Sequence, residues 1–236
     1  MSVMEQIRAK AKAANRHIVL PEGTEDRTIK AAAQIVSQGI ARVTLVGSAA
    51  EIREKAAQYG VDLAGVSIAD PATDARTQQY AQALYEIRKA KGMTPEEAFQ
   101  LVSENTLYFG TMMVKLGEAD GMVAGAINST GNTLRPALQI IKTAPGITSV
   151  SSCFLMECEK TEYGANGVLI FADCAVIPSP TADELASIAI ASAQTGRALV
   201  GLEPKVAMLS FSTKGSAKHE LVTKVREATQ KVRELA

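Results

Sequence analysis

The residues best suited to chemistry lie in one stretch, Asp120 to Lys142 (DGMVAGAINSTGNTLRPALQIIK), where a buried strand should deliver small and hydroxyl residues to the start of a helix. In open α/β sheets ligands collect beyond the carboxyl ends of strands, and a helix N-terminus offers unpaired amides and a positive dipole end. Asn128, Ser129, Thr130 and Thr133 add amide and hydroxyl donors. Arg135, expected in the first turn of a helix over 134–142, carries a charge that opposes the helix dipole unless an anion sits there. Its planar fork suits phosphate oxygens bidentately. The same residues also fit a capped turn whose arginine pairs with a surface carboxylate, and the sequence leaves both readings open.

A second loop of the same design is Ser210 to Ser216 (SFSTKGS). Ser212, Thr213 and Ser216 could donate hydrogen bonds, Lys214 a point charge and Gly215 close backbone approach. No Walker pattern is present, and alone this loop reads equally as a polar connection between strand and helix. Pro21 to Arg27 (PEGTEDR) leaves the first apolar run and could orient a ligand or cap the next helix. Arg88, near a helix C-terminus with Lys89 and Lys91, has the plainer reading of a charge that complements the dipole. There is no GxSxG, GxGxxG or HExxH, and with only His17 and His219 as imidazoles a Ser-His-Asp triad is not indicated. His17 is expected to open a strand and His219 to lie on a surface helix.

The elements that must position these residues alternate in type. Strands are expected at 17–20, 42–46, 66–69, 120–124, 148–158, 168–171 and 206–211. Helices are expected at 25–38, 51–58, 75–91, 95–102, 106–117, 134–142, from 181 and from about 216. Thr94 with Glu97, and Thr181 with Glu184, are capping-box signatures, and Gly39 and Gly92 are helix stops. Parallel strands need crossovers, usually helical, so this alternation implies a mostly parallel α/β architecture. Pro145 marks an expected domain boundary, giving a first α/β/α domain over 1–146 and a second over 147–236.

Composition narrows the function classes. Lysine plus arginine and aspartate plus glutamate number 25 each, and aromatics make up 4% of 236 residues, so neither a polyanion-binding field nor a set of base-stacking platforms exists. With 47% hydrophobic residues the chain can bury a real core. Cys153, Cys158 and Cys174 show no metal-ligand spacing and are odd in number, so reduced thiols, a cytoplasmic setting and no metal site are expected. Neither a signal-peptide core nor a run of ~18 apolar residues occurs.

The stretches VLPEGTEDR, YEIRKAKGMT, the run from Phe109 to Gly146, FADCAVIPSPTADELASIAI and VAMLSFSTKGSA together resemble the phosphate acetyl/butyryl transferase family along nearly the whole chain, most closely its acetyltransferases. The resemblance implies a three-layer α/β/α, two-domain architecture like that of isocitrate and isopropylmalate dehydrogenases, in a homodimer. It implies reversible acetyl transfer between acetyl phosphate and coenzyme A by direct thiolate attack in a ternary complex, with no tightly bound cofactor. Acetyl phosphate, phosphate and coenzyme A would be the partners. Arg88 and Arg135 would be cleft arginines, with Asn128, Ser129, Thr130, Ser212, Thr213 and Lys214 as further phosphate- or substrate-binding candidates. The family's chains normally continue past the point equivalent to Ala236. The catalytic base and its Ser-Arg pair are therefore expected beyond that point, the second domain to be partial, and the 236-residue chain alone to be inactive. Phosphate butyryl transfer, a phosphate- or coenzyme-A-binding fragment without turnover, and a structural fragment are the alternatives.

Overall fold

The structure is a computed structural model that describes residues 2–213 and 216–235. Its contacts divide the chain into two compact units, Arg8–Lys142 and Thr143–Ala236 with Met1–Ile7.

Within residues 8–142, four strands form one parallel sheet in the order β3-β2-β1-β4: β1 (His17–Leu20), β2 (Arg42–Val46), β3 (Val66–Ala69) and β4 (Gly121–Met122). Side chains alternate across each strand with a period of two, and both faces of this sheet are covered. Leu20, Val43 and Leu45 pack with Ile29 and Ala32 of α2 (Asp26–Ser37) and Ile52 and Ala56 of α3 (Ala49–Gln58). Their neighbours Val19 and Val46 point the other way, into a second cluster. That cluster holds Tyr80 and Leu84 of α4 (Thr77–Arg88), Val102 of α5 (Pro95–Glu104) and Phe109 and Met112 of α6 (Thr106–Lys115). Tyr80 and Phe109 meet ring to ring, their centroids 5.0 Å apart. Helix α1 (Val3–Ala14) precedes the first strand.

Local chemistry sets several boundaries. Thr94 and Glu97 close the capping box expected of them, with Thr94 Oγ1 accepting from Glu97 N at 3.2 Å and Glu97 Oε2 from Thr94 N at 2.9 Å. His17 opens β1 with its ring bridging the Glu118 carbonyl and the Thr44 hydroxyl, each at 2.8 Å. The strand expected at 120–124 shortens to two residues: Val123 N still reaches the Val19 carbonyl at 3.0 Å, but from Gly125 on the chain turns its amides to a side chain rather than to a ladder.

The helix expected at 134–142 begins earlier. Ser129 accepts from Asn132 N and starts α7 (Thr130–Pro136), and a wider π-type turn runs over Ala137–Ile141. Pro136 supplies no N–H, so regular i to i−4 bonding stops there and the backbone widens.

In the remaining unit, β5 (Cys153–Glu157) and β6 (Val168–Ala172) pair antiparallel, so the parallel arrangement inferred from alternation does not extend to them. The turn through Tyr163–Gly167 is short enough to be a hairpin connection, which is what antiparallel neighbours require. α8 (Ala182–Val200) starts at the expected capping box of Thr181 and Glu184, and α9 (Glu220–Leu235) starts four residues later than expected. The strand expected at 206–211 is absent. Leu209 and Phe211 are 76% and 68% exposed, and a strand exists only where a neighbour completes its ladder.

Gly23 sits where the chain leaves β1 and donates its N–H to the Val46 carbonyl at 3.0 Å. A Cβ at this position would lie 2.7 Å from Val46 O and 3.0 Å from Val46 N, both backbone atoms that cannot rotate aside. Gly23→Ala is expected to destabilise the protein by about 1–3 kcal/mol, read as a lower denaturant midpoint at unchanged slope.

Candidate functional site

Because β1 and β4 are parallel neighbours, the segments leaving their carboxyl ends emerge side by side. Glu22, two residues past β1 and only 4% exposed, reaches the loop past β4. Glu22 Oε2 accepts from the backbone N–H groups of Gly125 (2.8 Å) and Ala126 (2.6 Å). Oε1 accepts from those of Ile127 (3.0 Å) and Asn128 (2.8 Å), and from Asn128 Nδ2 (2.9 Å). Burial by itself would raise the Glu22 carboxyl, but the donors of Ile127, Ala126 and Asn128 together outweigh it and hold the pKa down at about 2. Arg27 braces the same loop from outside, with Nη2 donating to the Ala126 carbonyl at 2.8 Å and Nε to Glu25 at 2.6 Å. Glu25 in turn accepts from Arg27 N and Thr28 N and caps α2. The PEGTEDR segment therefore caps a helix and also fixes a loop, and the loop role of Glu22 was missed by sequence reasoning. Its only signal was an acid placed just beyond an apolar strand.

Within the stretch from Asp120 to Lys142, expected to bind an anion, the amides of residues 125–128 are turned inward. Those amides, and the Asn128 side-chain donor, already serve an internal carboxylate. Ser129 is the N-cap of α7, and Thr130 is its exposed first residue. Arg135 lies in the last turn of α7, not in a first turn, because the cap at Ser129 starts the helix before the hydrophobic run does. The helical backbone runs on past it through Ala137–Ile141, so Arg135 stands mid-run, clear of the positive dipole end, and the electrostatic conflict that suggested an anion is removed.

Two of the expected residues bear electrostatically on one phenol. Arg88 ends α4 and Arg135 ends α7, and both guanidiniums act on the phenol of Tyr108 in α6. Burial pushes the Tyr108 phenol up, and Arg135 and Arg88 pull it part of the way back. Tyr108 donates to Gln139 Oε1 in the π-type turn at 2.8 Å, tying the end of α7 to α6. Arg88 Nε is buried and has no hydrogen-bond partner among the described residues. Arg88 also lines a concavity of about 690 Å³ with Lys91, Met93, Gln100, Leu101 and Asn105.

Ser212 and Thr213 belong to the other unit, and their loop closes on itself. Ser212 Oγ donates to the Thr213 carbonyl and meets Ser216 Oγ at 2.9 Å, and Ser216 Oγ and N also reach the Thr213 carbonyl. Lys214 and Gly215 lie outside the described residues.

That unit has a carboxylate network of its own, also missed in the sequence. Asp173, just past β6, accepts from Ser152 N at 2.7 Å, from the Ser152 hydroxyl, and from Val176 N and Ile177 N at 3.1 and 2.6 Å. Burial opposes its charge, but the Ser152 hydroxyl and the three backbone N–H groups hold it well below the usual carboxylate range. Cys153, Cys158 and Cys174 are free and half-buried, more open than the apolar strand context suggested.

Together these features define an α/β protein whose parallel sheet ends in a carboxylate-braced loop, with two arginines gathered beside one buried phenol. The chain belongs to the phosphate acetyl/butaryl transferase family, which it matches over residues 2–236. It is 55% identical over 230 residues to the phosphate acetyltransferase of Thermoanaerobacterium thermosaccharolyticum, an alignment covering 98% of this chain and 69% of that one. The phosphate acetyltransferase of Escherichia coli K12 is 46% identical over 230 residues, 97% of this chain and 31% of that one. A solved phosphotransacetylase from Streptococcus pyogenes superposes with a TM-score of 0.91 at 43% identity, covering 100% of this chain and 70% of that one.

The Glu22 network has a pH signature. Its folded pKa of about 2 lies below the ordinary 4.5, so its contribution is complete above pH 4.5 and is lost as the pH falls toward 2. Glu22→Gln is expected to flatten the acid limb of stability between those values, measured by denaturant unfolding at successive pH.

Proposed function

We propose that this protein exchanges an acetyl group between acetyl phosphate and coenzyme A, and that Arg88 and Arg135 hold the anionic parts of those substrates. The observation that carries the reading is that the chain is about half identical to phosphate acetyltransferases over nearly its whole length, with the charges of two arginines on different helices both bearing on the Tyr108 phenol. Arg88 Nε, buried and without a hydrogen-bond partner among the described residues, is a donor held ready for an acceptor.

The chemistry asks for few covalent roles from the protein. A coenzyme A thiol, with an ordinary pKa near ~8.5, gives up its proton and its sulfur attacks the acetyl carbonyl carbon. A carbon–sulfur bond forms, the carbon–oxygen bond to phosphorus breaks, and inorganic phosphate leaves with the bonding electrons. Two pre-placed guanidiniums lower the cost of gathering two polyanionic substrates and orient them for attack. Asn128 serves this site through the loop it helps to fix, while Ser129 and Thr130 stand at the start of the helix that carries Arg135. Ser212, Thr213 and Lys214 are further proposed substrate-binding residues. The three free thiols support a reduced, cytoplasmic setting, and the reading carries with it a homodimer and no tightly bound cofactor.

The deciding assay follows thioester formation from acetyl phosphate and coenzyme A, with butyryl phosphate as comparator. Faster use of the acetyl donor supports the reading. Preferential use of the butyryl donor would move the protein to the other branch of its family, and no thioester from either, with the segment expected past residue 236 present, would overturn the reading. Arg135→Ala is expected to raise KM for a phosphate-bearing substrate by about tenfold with little change in melting temperature, since an exposed ion contact is lost and no cavity is made. Arg88→Ala is expected to act in the same direction.

A further inference from the structure

Four consecutive backbone N–H groups, from Gly125 to Asn128, point at one carboxylate and at nothing else in the fold. The Asn128 side chain brings the donors to five. A carboxylate offers about four lone-pair positions, so Glu22 is saturated and has no free valence for a ligand. Buried as it is, it has no path to one either.

The loop has little else to hold it. Ile127 is 65% exposed and Val123 is exposed as well, so apolar burial does not fix this segment. Gly125 stands at φ +108°, a conformation that an L side chain rarely adopts and that the Glu22 contacts keep in place. Immediately after the last of the five donors come Ser129, the N-cap, and α7 with Arg135 at its end.

We infer that Glu22 is a positioning residue for the proposed transfer reaction: it touches no substrate, and it holds residues 125–128 in the one conformation that sets Ser129, Thr130 and Arg135 for binding. This role rests on the function proposed above. Glutamine in its place keeps the shape but not the acceptors. One end of the amide becomes an NH2 group facing N–H donors, so at least two of the five bonds become contacts between donors. Arg27, with its exposed side chain, holds the same loop through the Ala126 carbonyl and offers an independent handle that leaves the core alone.

The test compares wild type, Glu22→Gln and Arg27→Ala by steady-state kinetics and by hydrogen exchange of the peptide over 123–134. In Glu22→Gln the loop amides are expected to exchange about 100-fold faster while the β1 and β2 amides stay protected. KM for a phosphate-bearing substrate is expected to rise about tenfold or more, with a smaller fall in kcat. Arg27→Ala is expected to shift both readouts the same way by about two- to threefold. Loosened loop amides with unchanged kinetics in both variants would overturn the role, as would activity that falls only in proportion to core protection. If wild type carrying the segment expected past residue 236 forms no thioester, the function reading fails and this role with it. Active wild type with unaffected variants removes this role alone.

Discussion

A carboxylate without solvent is tolerable only where its charge is met by donors, and at Glu22 the protein meets it with four successive backbone N–H groups of one loop. The dependence runs both ways. Without the carboxylate, four peptide N–H groups at the carboxyl edge of the sheet would be left facing one another. Without the loop, an ionised glutamate would sit unpaired beneath the end of β1. The parallel pairing of β1 with β4 makes the exchange possible, since it delivers both chain exits to the same edge. The close approach of Gly23 to Val46 then fixes where the first of them turns.

The arginines follow from this constraint. Arg135 is aimed by the start and length of α7, whose start is set by Ser129, the residue next to the last Glu22 donor. Arg88 is aimed by α4, which is anchored by Tyr80 and Leu84 in the core beneath it. The two helices are independent, yet the charges of both arginines bear on Tyr108, whose hydroxyl is tied to the turn that extends α7. Arg88, at the end of α4, is favoured there by the negative end of its own helix dipole.

Much of the sheet in residues 8–142 was legible because its signals are local. Apolar runs of four or five residues bounded by Asn, Gly or Asp gave β1, β2 and β3 to within a residue, and the capping boxes at Thr94 and Thr181 gave two helix starts. The errors came where a partner distant in sequence decides the outcome. Arg135 was placed in a first turn because hydrophobic periodicity begins at Leu134, whereas the helix begins earlier, at the polar cap Ser129. The run Val206–Phe211 has the composition of a strand, but composition supplies no neighbouring ladder. The hairpin of β5 and β6 needed the short turn at 163–167 to be weighed above the wider alternation of strands and helices. Glu22 was passed over for a similar reason, since its partners lie about a hundred residues away and share no motif with it.

Set side by side, Glu22 and Asp173 use one device in two settings. Each is an acid just beyond an apolar strand, each accepts several consecutive or nearly consecutive backbone N–H groups, and each is held as an anion against its own burial. The difference lies in reach. Asp173 takes Val176 and Ile177 from its own loop and Ser152 from the chain just before the paired strand, so it mainly tightens a local turn. Glu22 takes nothing local and spends all its acceptors on a loop 103 to 106 residues ahead. A local network can form as soon as its hairpin does, whereas the Glu22 network requires β4 to have docked on β1 first. The loop that leads to Arg135 is therefore shaped only after the sheet is complete, which ties the geometry of the candidate site to the finished fold of residues 8–142 rather than to any segment of it.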